Sequence, residues 1–371
     1  MKSDSELQGL IGRCSRCGTC RAACPIFEVV PDEPASPRAR VQLLAFMLEG
    51  RVGASRRLDQ IYSDCLLCGA CVRACPNAVP VDGLVLEARS RLAAERGLGV
   101  PQRLALRLLP ALAALRRLAP GRGIPAPRAR VAYFAGCANR IARGENVRNL
   151  AEVLEANQVE VLIPEQTCCG MPALAQGDRR GALELARLNV QGLAGARVDA
   201  IISDCGTCVG TLRRYGEWLG SPDARRVSAL ARDAYSFLAE LGLRGNLGEV
   251  PSRVTYHDPC HLAGQLRVKD EPRELLRRVP GVELVEMAGA DRCCGGAGSF
   301  MLTHHGLSGK VAEPKLAAIT ATGAEVVVTT CPSCQLQLSH RLGRSGVGTT
   351  HLLRVLARAY RRGGVTKRRA L

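Results

Sequence analysis

CSRCGTCRAACP at residues 14–25 and CLLCGACVRACP at residues 65–76 are one pattern written twice. Cys14, Cys17, Cys20 and Cys24 repeat the spacing of Cys65, Cys68, Cys71 and Cys75, each run closed by a proline. This C-x2-C-x2-C-x3-C-P spacing is the one by which thiolates ligate paired [4Fe-4S] clusters, the fourth cysteine of each run serving the other cluster. The expected ligand sets are therefore Cys14, Cys17, Cys20 and Cys75 for one cluster, and Cys65, Cys68, Cys71 and Cys24 for the other. A four-cysteine zinc site usually comes as two CxxC pairs with a long gap, which is not the pattern here.

Working outward, PRARVQLLAFMLE at residues 37–49 places Val41, Leu44, Ala45 and Leu48 at helical spacing, and a second helical pattern runs from Gly83 to Arg96. The region 1–96 thus reads as a mostly helical domain with two clusters. A connector follows over 97–129, punctuated by Pro101, Pro110, Pro120, Pro125 and Pro127. Its apolar, arginine-studded middle reads as a helix packing on its own protein.

The remainder is duplicated. RVAYFAGC (Arg130–Cys137) matches RVTYHDPC (Arg253–Cys260), QTCCG (Gln166–Gly170) matches DRCCG (Asp291–Gly295), and Val198–Cys208 matches Ala324–Cys334. Cys137 and Cys260 lie 123 residues apart, Cys168 and Cys293 125, Cys205 and Cys331 126. The repeats span 130–248 and 249–371. In the first, strands are expected at Val131–Ala135, Val159–Ile163 and Ala200–Ser203, with helices near Glu145–Asn157 and Gly181–Leu193. Strands alternating with helices imply a parallel sheet with right-handed crossovers, whose ligands gather beyond the carboxyl ends of the strands. The expected fold class is α + α/β: a helical two-cluster domain, then two duplicated α/β cysteine-rich domains with parallel sheets.

Each repeat offers five thiols, one more than a cubane needs: Cys137, Cys168, Cys169, Cys205 and Cys208, then Cys260, Cys293, Cys294, Cys331 and Cys334. A further cluster, a noncubane cluster, or structural zinc all suit such a set. Gly170, Gly295 and Gly296 read as positions where backbone approaches a bulky cofactor. His257 and His261 flank Cys260; with five cysteines at hand they read as hydrogen-bonding or proton-delivering groups. His304 and His305 read as a solvated pair in a loop. Arg13, Arg16, Arg21, Arg73 and Arg292 adjoin cysteines and would raise a cluster's potential or simply be solvated. No G-x-G-x-x-G follows a strand, so no flavin or nicotinamide is expected on this chain.

Totals narrow the class. Among 371 residues there are 18 cysteines, 47% apolar residues and a net charge of +17. So apolar a chain is not a disordered one. With no basic, then apolar, leader at Met1–Gly12, the chain reads as cytoplasmic, where thiols stay reduced and favour metal over disulfide. No uncharged apolar stretch reaches the length of a membrane span, which leaves peripheral contact with the inner membrane face open. The charge suits an acidic partner or anionic surface, and no nucleic-acid-reading motif accompanies it.

SPRAR (Ser36–Arg40), DCLLCGACVRACP (Asp64–Pro76), YHDPCH (Tyr256–His261), DRCCGGAGSF (Asp291–Phe300) and the final CPSC (Cys331–Cys334) together resemble the iron–sulfur subunit of bacterial glycolate oxidase and its D-lactate dehydrogenase relatives. The chain is similar also to the heterodisulfide reductase subunit that carries the same cysteine-rich (CCG) domain twice. The first resemblance implies an FAD-binding 2-hydroxyacid dehydrogenase as partner, and electrons passed on to a quinone or carrier protein. The second implies noncubane [4Fe-4S] clusters in the repeats and reduction of a disulfide or sulfur substrate. All ten repeat cysteines are present, whereas the glycolate oxidase branch often lacks some of the last.

Overall fold

In the computed structural model, which describes residues 3–99, 104, 106, 108, 123–343 and 345–366, the chain begins with helices. Asp4–Gly12 opens on a capping box, in which Ser3 accepts from the Glu6 N–H while the Glu6 carboxylate accepts from the Ser3 N–H at 2.6 Å. The helix read from residues 37–49 runs Pro37–Leu48, with Pro37 in its first turn and the Ser36 hydroxyl accepting from the Ala39 N–H at 3.1 Å. Arg40 donates to the Ile61 carbonyl at 2.9 Å, and the Tyr62 hydroxyl donates back to the Arg40 carbonyl at 2.8 Å. The SPRAR segment thereby ties the stretch after the first cysteine run to the helix Arg56–Ser63 that leads into the second. Leu7, Val41, Leu44, Tyr62, Leu84, Val85 and Leu92 close the core between them and the helix Val81–Arg96.

That last helix also joins the first repeat. Arg89 donates to the carbonyls of Tyr62 (2.7 Å) and Cys65 (2.6 Å) within its own domain, and to Ala175 (2.6 Å) in the first repeat. Methionine would keep the stem and leave four carbonyls, that of Ser63 at 3.3 Å included, short of a donor. Arg89→Met is therefore expected to cost ~3 kcal/mol of stability, read as a lower denaturant midpoint; a loss below about 0.5 kcal/mol, typical of plain surface changes, would contradict this role.

The duplicated region forms two four-stranded sheets, all parallel. Strands β1 (Ala129–Tyr133), β2 (Val159–Leu162), β3 (Ala200–Ser203) and β4 (Ala231–Asp233) lie in the order β2-β1-β3-β4. Strands β5 (Ser252–His257), β6 (Val282–Leu284), β7 (Val326–Thr329) and β8 (Gly348–His351) repeat it as β6-β5-β7-β8. The chain reverses its direction of winding between β1 and β3, and again between β5 and β7, so the crevice of a doubly wound sheet opens at those carboxyl ends.

One hydrophobic core serves both repeats: Val131, Leu150, Val153 and Leu238 of the first pack with Val254, Leu276, Val328 and Leu356 of the second. The pairing is reciprocal. Helix Gly144–Ala156 of the first repeat packs on Leu352–Arg362 of the second, and Asp270–Arg277 of the second packs on Ala234–Leu241 of the first. Each pair joins the helix after one repeat's first strand to the helix after the other's fourth, the arrangement of a two-fold dimer made within one chain. Asn157 donates to the Tyr360 hydroxyl at 2.8 Å and Arg361 donates to Glu152 at 2.8 Å across it.

Two sequence expectations change. Each repeat has a fourth strand, β4 or β8, where three were read. The Asp233 carboxylate at the end of β4 accepts from the Ser236 N–H at 2.8 Å, starting the helix that makes the interface. His305 opens a helix, His305–Ala321, in place of a loop. The middle of the connector falls largely outside the described residues. Among those described, no helix is long and apolar enough to cross a membrane.

Candidate iron–sulfur sites

The two cysteine runs fold identically. Arg16 (φ 60°) and Leu67 (φ 54°), each two residues after the run's first cysteine, are left-handed, as are the glycines after the second cysteines. A non-glycine residue there costs roughly 1–2 kcal/mol. The turn it makes brings backbone N–H groups round to sulfur, as where the Leu67 N–H meets Cys65 Sγ at 3.5 Å. Cys14, Cys17, Cys20 and Cys75 line one hollow, walled by Val41, Val79 and Arg38. Cys65, Cys68, Cys71 and Cys24 line the other, with Ile26, Pro37 and Leu66. Each hollow thus receives three thiols from one run and the last from the other. Four thiols converging on an apolar hollow suit a [4Fe-4S] cube. Burial pushes the Cys20, Cys24 and Cys71 thiols up; filling the hollows with metal would release those protons.

In the first repeat the five thiols are all buried. Cys137 follows β1, Cys168 and Cys169 follow β2, and Cys205 and Cys208 follow β3 at the start of the helix Gly206–Leu212. Cys168 Sγ lies 3.5 Å from Cys137 Sγ. Cys169 is held well below the usual thiol range by hydrogen bonds from Cys168 and Cys208, while hydrogen bonding pushes those two up, Cys168 first through Cys137 and then Cys169, Cys208 first through Cys169. The second repeat repeats the chain of contacts: Cys260 with Cys293, then Cys294 with Cys334 and Cys331. Cys334 holds Cys294 and Cys331 low. All eighteen cysteines are free thiols.

A Cβ on Gly296 would come 3.6 Å from Cys294 Sγ, on the thiol side as the sequence reading has it, but Gly170 and Gly295 work differently. A Cβ on Gly170 would come 2.9 Å from the Ala182 carbonyl, and one on Gly295 2.4 Å from that of Ser308, so both exist to admit a helix rather than a cofactor. The glycine that guards the thiols is Gly136, where a Cβ would sit 2.7 Å from Cys208 Sγ.

The three thiol regions are contiguous. Cys68 and Cys24 pack with Cys293 and Phe300 in one buried cluster, and Cys293 is the neighbouring charge that, after burial, raises Cys68. His261 is a hinge pin: its Nδ1 meets Thr207 Oγ1 of the first repeat at 2.6 Å and its Nε2 meets the Leu67 carbonyl at 3.1 Å. The carbonyl can only accept, so Nε2 is the donor, and burial holds the ring below the usual imidazole pKa against the pull of that carbonyl. A cavity of about 740 Å³ lies among Cys137, Cys169, Cys208, Cys260 and Cys334, with Leu66, Leu67 and Leu86 among the residues that border it on the N-terminal side.

Several charged residues proved to be joints. Arg73 donates to the Cys68 carbonyl at 3.2 Å, Arg21 sits over Phe27, and Arg292 pairs with Glu28 across the domain boundary. His304, expected in solvent, stacks on Phe300 and lies 3.5 Å from Asp64, also across that boundary. Lys315 was missed altogether. Its ammonium is buried, donates to the carbonyls of Gly289 (2.6 Å) and Ala290 (2.9 Å), and burial lowers it to about 8 against the pull of Cys294 and Cys293. The repeat register offered a signal, because Lys315 stands where the first repeat has Asn189.

Eight thiols in two interlocked sets of four, followed by two five-thiol sets at sheet crevices, define an iron–sulfur protein with tandem cysteine-rich domains. The model of the cysteine-rich domain (CCG) matches residues 131–213 and 254–339, and that of the 4Fe-4S dicluster domain matches residues 11–79. The chain belongs to the CCG cysteine-rich-domain family, with a 4Fe-4S dicluster domain at its N-terminal end. It is 29% identical to the probable glycolate oxidase iron-sulfur subunit of Bacillus subtilis, over 95% of this chain and 94% of that one. It is also 29% identical to a subunit of the fumarate reductase (CoM/CoB) of Methanothermobacter marburgensis, over 92% of this chain and 70% of that one. A hypothetical protein from Helicobacter pylori shares the fold, with a TM-score of 0.58 at 11% identity over 90% of this chain and 70% of that one.

Proposed function

We propose that the chain is the electron-transfer subunit of an FAD-dependent oxidoreductase acting on a 2-hydroxy acid such as glycolate or D-lactate, with a quinone or carrier protein as acceptor. Bound clusters supply one-electron redox chemistry. Cys14, Cys17, Cys20 and Cys75 would hold one [4Fe-4S] cluster, and Cys65, Cys68, Cys71 and Cys24 the second. The ten repeat cysteines would hold further clusters.

The observation that carries this reading is the buried contact of Cys68 with Cys293, which sets the second hollow directly against the second repeat. The relatives named glycolate oxidase iron-sulfur subunits support the choice of substrate, and the flavin-bearing partner is proposed from the family resemblance.

A specific observation favours a second reading, in which the chain itself reduces a disulfide or sulfur substrate. The cavity of about 740 Å³ between the repeats' thiols is within the range that takes a small molecule. The experiment is metal analysis and EPR on anaerobically purified chain, followed by addition of a 2-hydroxy acid with and without an FAD-containing 2-hydroxyacid dehydrogenase. Expected are at least about eight irons per chain and reduction of the chain by glycolate or D-lactate only when the flavoprotein is present. Colourless, iron-poor protein after reconstitution would refute both readings; chemically pre-reduced chain that is reoxidised by a disulfide, yet is not reduced by a 2-hydroxy acid with the flavoprotein present, would select the second.

A further inference from the structure

The two repeats differ at one position where their thiol sites are otherwise alike. In RVAYFAGC and RVTYHDPC, three residues before the first cysteine, Phe134 of the first repeat is replaced by His257 in the second. Phe134 follows β1 directly and is fully buried against Cys169, Cys205 and Cys208. His257 ends β5, is 1% exposed, and occupies the matching niche: a ring nitrogen, Cys294 Sγ and Cys334 Sγ all lie within 4.8 Å of one another. Cys294 and Cys334 are the counterparts of Cys169 and Cys208.

An imidazole is a costly choice for that niche. Neither ring nitrogen of His257 finds a hydrogen-bond partner among the described residues. A buried polar atom left without a partner costs about 1–3 kcal/mol, and the first repeat shows that an apolar ring fits the same place. The other histidine of the motif, His261, is the contrast, since both its nitrogens are engaged at 2.6 and 3.1 Å. An unpartnered nitrogen facing two thiols is a ligand set: imidazole and thiolate share zinc and iron, and histidine takes the place of cysteine on iron in one class of iron–sulfur centre. Cys331, hydrogen-bonded to Cys334, is at hand as a further thiolate.

We infer that His257 is a metal ligand, making the second repeat's centre a mixed nitrogen–thiolate iron–sulfur site and leaving the first repeat's all thiolate. This rests on the reading that the second repeat holds iron. A neutral nitrogen in place of a thiolate removes negative charge from the centre, which raises its potential. The two repeats, alike in fold, are thus unequal in redox character, and the higher-potential one is the repeat that touches Cys68.

The test uses the full-length chain, anaerobically reconstituted with ferrous iron and sulfide, prepared with natural and with 15N-labelled histidine. Pulsed EPR is expected to show a directly bonded nitrogen whose coupling changes with the label. In His257→Phe, which copies the first repeat and so should fold, the coupling disappears and the midpoint potential of that centre falls while the other iron is retained. If the chain carries iron beyond about eight atoms but shows no histidine coupling, the inference is overturned and the functional reading stands. Where the centre is EPR-silent, optical potentiometry decides: a midpoint unmoved in His257→Phe overturns the inference. Wild-type chain with no iron beyond about eight atoms overturns both the inference and the assignment of clusters to the repeats.

Discussion

Cys68→Ser is expected to remove about four irons per chain and to cut electron transfer through the protein by at least about 100-fold, the upper end of what losing a mere outer partner of a metal ligand costs. Cys68 has no substitute within its hollow. The other three thiols, Cys65, Cys71 and Cys24, are each placed by a different element, and Cys293, its neighbour across the boundary, already faces Cys260. Serine keeps the volume and loses the soft thiolate. The set of Cys14, Cys17, Cys20 and Cys75 shares no thiol with it, so roughly half of the N-terminal iron should remain, with its EPR signal intact. Iron analysis, EPR and single-turnover reduction by the flavoprotein would read these outcomes together. Full transfer with one cluster absent would mean that electrons bypass this junction, and the contact of Cys68 with Cys293 would have no part in conduction.

The cysteine runs were legible because ligand spacing is local: three thiols within seven residues and a proline after the fourth need no tertiary context. The duplication was legible for the same reason, and so were the central strands, whose apolar residues are continuous in sequence. The fourth strands were not. ARD at Ala231–Asp233 and GTTH at Gly348–His351 are short, polar edge strands without alternation, and pairing with β3 and β7 decides them. Nor could the sequence show that the repeats share one core, because an apolar helix face such as that of Leu352–Arg362 looks the same whether it covers its own sheet or its twin's. Gly170 and Gly295 were assigned to the cofactor because they follow cysteines, yet the nearest obstacle to a side chain is a helix carbonyl. Lys315 was passed over since lysine is ordinarily a surface residue; its burial depends on two carbonyls that the preceding loop happens to aim at it.

The second large effect separates the repeats from the N-terminal domain. Cys294→Ser should lower iron content without touching the two interlocked sets, because its thiol neighbours Cys334 and lies by the His257 ring, while Cys68 neighbours Cys293. Cys294 is held well below the usual thiol range, first by hydrogen bonding with Cys334, which prepares it to take metal. A serine there leaves an alkoxide-forming group that iron binds poorly at neutral pH. The N-terminal clusters should still be reduced through the flavoprotein, but reoxidation by the acceptor should slow by about 100-fold or more if the second repeat lies between them and the acceptor. Stopped-flow traces would then show reduced clusters accumulating. Zinc lost in place of iron, with reoxidation unchanged, would make the second repeat a structural metal site and move the exit for electrons elsewhere on the N-terminal domain.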